Sequence, residues 1–294
     1  MFGPMTALSH AQALAPAGGA DHIVDVLLAE RAPKLSGSSL WPLARPLLYA
    51  LLDYAKARAM ADAIAPLPGR AALEFVSDLL SVKVEARGLE RVPASGRAIV
   101  VCNHPTGIAD GVAVYDALKG LRPDICFYAN ADAHRVSPRF DEVLIPVEWV
   151  EAKRTRERTR LTLQLTREAM EAERCLVVFP AGRLARRGAD GVLADPPWMP
   201  TAVSLARRYE APVIPIHVAG PWSTLFHFFN SFSQELRDIT LFHELLNKRG
   251  RRFDLIVGRP IGPGALAGDS AEVTGRLKHH VERVLMDDPD RAFA

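Results

Sequence analysis

From Val82 onward the chain repeats one alternation, a short β-branched or aliphatic run followed by a longer stretch with helical periodicity. The short runs cover residues 82–86, 98–102, 125–129, 144–149, 175–179, 213–218 and 255–258. Helical patterns occupy 111–119, 156–173, 201–209, 235–247 and 271–285. Strands separated by helices are joined by crossovers instead of hairpins, so their sheet is mostly parallel and needs cover on both faces. The pattern predicts an α/β fold with a mostly parallel central sheet of about seven strands flanked by helices.

The first part of the chain reads differently. Val24, Leu27 and Leu28 recur at helical spacing, a longer segment covers 40–64, and a third runs 71–80. This predicts a loose tail over 1–21, a helical N-terminal extension over 22–78 that is able to touch a membrane, and one α/β domain over 79–294. With 49% hydrophobic residues in 294, the chain can bury a sizeable core and is not a disordered one.

Charge and cysteine usage narrow the function classes. A formal net charge of +2, from 36 basic and 34 acidic residues, gives no case for nucleic acid. Cys102, Cys126 and Cys175 each lie in or beside an apolar run, which suits buried thiols in a reducing compartment, and no zinc spacing is present. The first charged residue is Asp21, so the start lacks the positive region of a secretory signal. No run of about 18 uninterrupted apolar residues exists. The most apolar segment, 40–52, contains Arg45 and two prolines; it fits an interfacial helix and an ordinary packed helix equally well.

In open parallel sheets ligands sit at the carboxyl ends of the strands. His104 follows the run 98–102 by two residues, inside Asn103-His104-Pro105-Thr106-Gly107-Ile108-Ala109-Asp110. Asp110 is expected at the N-cap of a helix starting at Gly111, with Gly107 turning the chain so that the carboxylate reaches the imidazole. Such a carboxylate fixes the tautomer and leaves the other ring nitrogen as a base. Taken alone, the same residues favour turn and cap chemistry with an incidental histidine. Phe179-Pro180-Ala181-Gly182-Arg183 also leaves a buried run and turns, which brings Arg183 to the same sheet edge as His104, where a guanidinium suits a phosphate or carboxylate. Arg186 and Arg187 are expected in a solvated loop. Pro215, within 213–218, implies an edge strand or a bulge.

These three elements, in this order, resemble the blocks of the glycerolipid acyltransferase family: NH-x(4)-D, FPEGTR and VPVIPV. The resemblance spans about 79–261. It implies His104 and Asp110 as the catalytic pair, and Pro180, Gly182 and Arg183, with Phe179, Asn103 and Gly107 beside the blocks, as substrate-binding residues. Five residues separate His104 from Asp110 here, as in the NHPxGxxDG form of the hemolysin-like, ornithine-lipid branch. Ala181 replaces the block's glutamate and Arg183 its threonine, which argues against glycerol phosphate as the acceptor. For the second block, Lys153, Arg154 and Arg156 are the nearest cations.

The resemblance further implies acyl transfer to the hydroxyl of a lysolipid, lyso-ornithine lipid or a related one, in membrane lipid biosynthesis. Acyl-CoA or acyl carrier protein is the co-substrate, and neither resident cofactor nor metal is expected. A lysophosphatidic acid acceptor and a non-catalytic lipid-binding protein are the alternatives. The expected place of work is the cytoplasmic face of a membrane, held peripherally, with residues 40–52 or 222–232 and the arginines at 154–160 as contacts. A serine hydrolase lacks its G-x-S-x-G elbow, and the glycine-rich stretch 262–268 follows the last strand, so no dinucleotide-binding βαβ unit can contain it.

Overall fold

The computed structural model describes residues 21–148, 154–187 and 193–294. All of the predicted strand runs form one sheet: β1 (Lys83–Arg87), β2 (Ala98–Cys102), β3 (Cys126–Asn130), β4 (Leu144–Val147), β5 (Cys175–Val178), β6 (Val213–Ala219) and β7 (Arg252–Val257). Their spatial order is β1-β7-β6-β2-β5-β3-β4 in a 7-stranded sheet. Every neighbouring pair is parallel except β6 with β7. Trp149, expected in the fourth strand, and residues 1–20 of the expected tail lie outside the described residues.

Helices cover both faces. Along β2, Ala98, Val100 and Cys102 join one buried cluster while Ile99 and Val101 join the other, as the two-residue period of a strand requires. The first cluster is roofed by α1 (Ile23–Arg31), α3 (Tyr54–Ile64), α4 (Gly69–Leu80), α5 (Ile108–Leu118) and α10 (Leu241–Leu246). The second holds α6 (Arg156–Glu171), α7 (Thr201–Tyr209) and α11 (Ser270–His279). The helices ahead of Lys83 therefore form part of the layer over the sheet.

Two long predicted helices break. Residues 40–64 divide into α2 (Trp41–Leu51) and α3, because Asp53 adopts φ 55° between them. Residues 235–247 divide into α9 (Gln234–Asp238) and α10, where the Thr240 hydroxyl donates to the Arg237 carbonyl at 2.7 Å in place of a continued ladder. The aromatic stretch 222–232 forms α8 (Thr224–Asn230), burying Phe226 and Phe229 and exposing Trp222, Phe228 and Phe232. Residues 186–187, expected in a solvated loop, instead pair with Leu193–Ala194 as a short ribbon.

Pro215 corrects the edge-strand expectation. β6 is interior, between β7 and β2. The alternative, a bulge, is what occurs: Ile216 pairs with Val257 but Val213 bridges Ile261, so the partner advances one residue more than β6 does. The loosened ladder falls where proline has no N–H to offer, and the Gly258 N–H still donates to the Pro215 carbonyl at 2.8 Å.

Candidate active site

β2 and β5 are paired neighbours, with Val101 opposite Val178, so the residues following them emerge side by side at the carboxyl edge. The alternation that sends Val100 and Cys102, and Cys175 and Val177, to the α1–α5 face continues to His104 and Phe179. Their rings lie 4.6 Å apart at 35°.

Asp110 reaches His104 by a different route from the one expected. Helix α5 starts at Ile108, with Gly107 as its N-cap, so Asp110 is the third helical residue and not the cap. Its fully buried carboxylate folds back over the turn. Oδ2 accepts the Thr106 N–H at 2.9 Å, the Gly107 N–H at 3.0 Å and His104 Nδ1 at 3.0 Å, while Oδ1 accepts the Thr106 hydroxyl. A carboxylate surrounded by donors is the ionised acceptor, so the ring proton resides on Nδ1 and Nε2 carries the free lone pair. Gly107 makes the turn possible at φ 92° and ψ −144°, and a Cβ there would also lie 3.2 Å from Leu184 Cδ1.

His104, Phe179, Gly182 and Arg183 line one cavity of about 320 Å³. Beyond them its wall is mostly apolar, with Met60, Ile64, Val76, Val112, Phe127 and Leu245 from the helices and strands of the first cluster. Arg31 and Asp132, ion-paired at 2.7 Å, also line it. Sequence reasoning missed this pair, whose partners are 101 residues apart in the chain.

Other expected residues do different work. Asn103 is buried, and its amide exchanges two hydrogen bonds with the Val218 backbone at 2.7 and 2.9 Å, tying the end of β2 to β6. Pro180 is buried and its carbonyl accepts the Met199 N–H at 3.0 Å. Arg154 donates to the Glu148 carbonyl at 3.1 Å, and Arg156 opens α6; neither lines the cavity. Lys153 lies outside the described residues. The backbone N–H groups of His104, Thr106 and Gly107 are all engaged with carboxylates, so none of these three is free to hold an oxyanion.

Arg183 is exposed and has no ion-pair partner among the described residues. Arg186 is half-buried, and its Nε has no hydrogen-bond partner among the described residues. Burial pulls the Arg186 guanidinium below its usual value, and the nearby charges of Arg237 and Arg183 add to this, against Asp238 alone. Arg237 is itself held by Asp238 at 2.7 Å and Asn230 at 3.0 Å. Among the described residues, positive charge thus exceeds its counter-charge around Arg186, and of these three arginines Arg183 alone lines the cavity. Arg187 lies 4.6 Å over the Trp222 ring.

A family model described as Acyltransferase matches residues 26–286. Two curated relatives carry the name lyso-glycine lipid O-acyltransferase. The one from Phocaeicola vulgatus is 28% identical over 199 residues, covering 64% of this chain and 68% of its own. The one from Bacteroides thetaiotaomicron is 25% identical over 195 residues, covering 64% and 70%. A solved structure, the 1-acyl-sn-glycerophosphate acyltransferase PlsC from Thermotoga maritima, aligns over 92% of this chain and 98% of that chain, with 15% identity and a TM-score of 0.46. On the match across residues 26–286, the chain belongs to the acyltransferase family.

Proposed function

We propose that the protein moves a fatty acyl group from an acyl thioester, acyl-CoA or acyl carrier protein, to the hydroxyl of a lysolipid built on an amino acid, such as lyso-glycine or lyso-ornithine lipid. One observation carries this reading: an Asp-oriented imidazole lines a mostly apolar cavity. The cavity takes the acyl chain. His104 Nε2 removes the acceptor hydroxyl proton as its oxygen attacks the thioester carbonyl, and Asp110 stabilises the imidazolium. The C–S bond breaks, the ester C–O bond is complete, and the thiolate leaves with the proton from Nε2 as free thiol. No covalent enzyme intermediate and no resident cofactor enter the step.

The acceptor class rests on the names of the two relatives and on Arg183, which lines the cavity, with the charges of Arg186 and Arg237 near it. An amino acid acylated through its amine keeps a carboxylate, which guanidinium groups bind bidentately. Lysophosphatidic acid is the second reading, because the same arginines suit a phosphate.

Membrane docking belongs to the proposal. Helix α2 buries none of its residues, and Leu40, Leu43, Leu47 and Leu51 form an exposed apolar stripe at helical spacing. No helix among the described residues is long and apolar enough to cross a membrane. Such a stripe fits a peripheral seat in the interface, where both lipid substrates reside.

The test is thiol release from acyl-CoA, then from acyl carrier protein, with lyso-glycine lipid, lyso-ornithine lipid and lysophosphatidic acid offered separately. Transfer to the amino-acid lysolipids, lost in folded His104→Ala protein, is expected. Full transfer by that variant sinks the assignment of the base. Preference for lysophosphatidic acid moves the acceptor to the second reading, and lipid binding without turnover on any acceptor leaves a lipid-binding protein.

A further inference from the structure

His104 is held by two carboxylates, one at its ring and one at its backbone. Besides the bond from its ring to Asp110, its backbone N–H donates to both carboxylate oxygens of Asp195, at 3.1 Å each, across 91 residues of chain. Asp195 is buried and follows the ribbon strand Leu193–Ala194. Its Oδ2 accepts the Trp198 indole N–H at 2.9 Å, and its own backbone N–H donates to Glu282 Oε1 at 2.7 Å. Glu282 is in turn paired with Lys278 at 2.6 Å. The ribbon also returns to the same residue, since the Ala185 N–H donates to the His104 carbonyl at 2.9 Å.

A full carboxylate is a costly way to satisfy one backbone N–H and one indole. Burying a charge is unfavourable unless donors and opposite charge compensate it, and a neutral side chain would serve a purely structural purpose. The charge therefore needs another object, and the positive charge that comes and goes here is on His104.

Resting on the reading of His104 as the base, we propose that Asp195 is a positioning residue for it, pinning its main chain and supplying a second carboxylate that supports the imidazolium. Asp110 sets the ring; Asp195 sets the backbone that carries the ring. The link through Glu282 and Lys278 ties the base to the C-terminal helical segment.

The pH dependence follows from the groups around Asp195. Burial pushes its carboxyl up to about 6; the Trp198 hydrogen bond and the His104 charge and backbone N–H oppose this, and Glu282 adds to it. The Cys102 thiol feels both Asp110 and Asp195, and His217 faces Glu282 from β6. Above about pH 6 the ionised carboxylate accepts both donors. Below it the added proton removes the charge and one acceptor position. Activity then falls on the acid side as Asp195 takes up its proton.

Three measurements on the full chain decide this. In Asp195→Asn that keeps its circular dichroism, kcat should fall at least about tenfold with the acceptor KM within about twofold. The acid-side slope of log kcat/KM against pH should become shallower as the Asp195 limb, with its midpoint about 6, is lost. Trp198→Phe keeps the carboxylate and loses the indole bond that lowers its pKa, so the Asp195 limb should move to higher pH. The His104 backbone amide resonance should titrate with a midpoint about 6 and lose that titration in Asp195→Asn, with no turnover required. If wild-type protein transfers no acyl group while this amide titrates, the reaction reading falls and the Asp195 contact stands. Unchanged kcat and slope in Asp195→Asn overturn the proposal, as does a His104 amide indifferent to pH between 5 and 7. Should Asp195→Asn not fold, Trp198→Phe decides: a limb that moves up supports the role and an unmoved limb ends it.

Discussion

Replacing Gly107 by Ala tests whether the turn holds the His104–Asp110 pair. Gly107 sits at φ 92° and ψ −144°, where an L side chain is strained by about 1–3 kcal/mol. The new Cβ would also meet Leu184 Cδ1, Cδ2 and Cγ at 3.2 to 3.3 Å, so that side chain must yield by a few tenths of an ångström. At about 2 °C per kcal/mol for a chain of this size, the thermal midpoint should fall by about 2–6 °C. The chemistry should suffer more. The Gly107 N–H is one of the donors fixing the Asp110 carboxylate, at 3.0 Å, and relaxing the strained φ swings that donor away. A misplacement of about 1 Å at a reacting group costs on the order of 100-fold in rate. Scanning calorimetry and kcat for acyl transfer read the two effects. A double Gly107→Ala, Leu184→Ala variant separates them: backbone strain survives it, whereas a clash with Leu184 is relieved. A Gly107→Ala protein with its midpoint within about 1 °C and its kcat within about twofold of wild type would refute the claim that this turn sets the pair.

Asp110→Asn should lower kcat by roughly 10³–10⁴-fold with little change in KM, because an amide can turn its NH2 to Nδ1 and leave the proton on Nε2; a kcat within tenfold of wild type contradicts the tautomer argument. Leu43→Glu with Leu47→Glu should weaken binding to phospholipid vesicles in a flotation assay by about tenfold or more, and leave the thermal midpoint in place, since these side chains are 79% and 74% exposed. Burial pushes His134 from 6.5 down to about 4, so the unfolded chain binds the extra proton first as pH falls. Stability is therefore lost between about pH 6.5 and 4, by roughly 3 kcal/mol in all, and His134→Gln should flatten the pH dependence of unfolding in that window. Asp195, whose folded value is raised, pulls the other way, but it is common to both proteins and cancels in the difference.

The elements legible in the sequence were those whose signal is local. The runs that became β2 and β5 are continuous and apolar because both faces of a parallel strand are buried, and every residue of each is buried in the sheet. His104 and Asp110 were legible because a turn joins them six residues apart. Where a local signal had two readings, packing chose: Thr106 and Gly107 started α5 at Ile108 and moved Asp110 inside the helix, and Asn103 turned to Val218.

By itself the sequence determined that strands would alternate with helices in a parallel sheet, that a His and an Asp would meet at a strand end, and that residues 40–52 would be an apolar helical segment. Periodicity and short-range turns carry that much, because they depend on a few bonds of backbone geometry. Only the tertiary structure decided the strand order, the interior place of Pro215, the apolar cavity roofed by the N-terminal helices, and the carboxylate of Asp195 behind His104. Nothing near Ala194-Asp195-Pro196 signals its partner, because contacts across the sheet's carboxyl edge are made between chain segments whose meeting is set by the packing of the whole core.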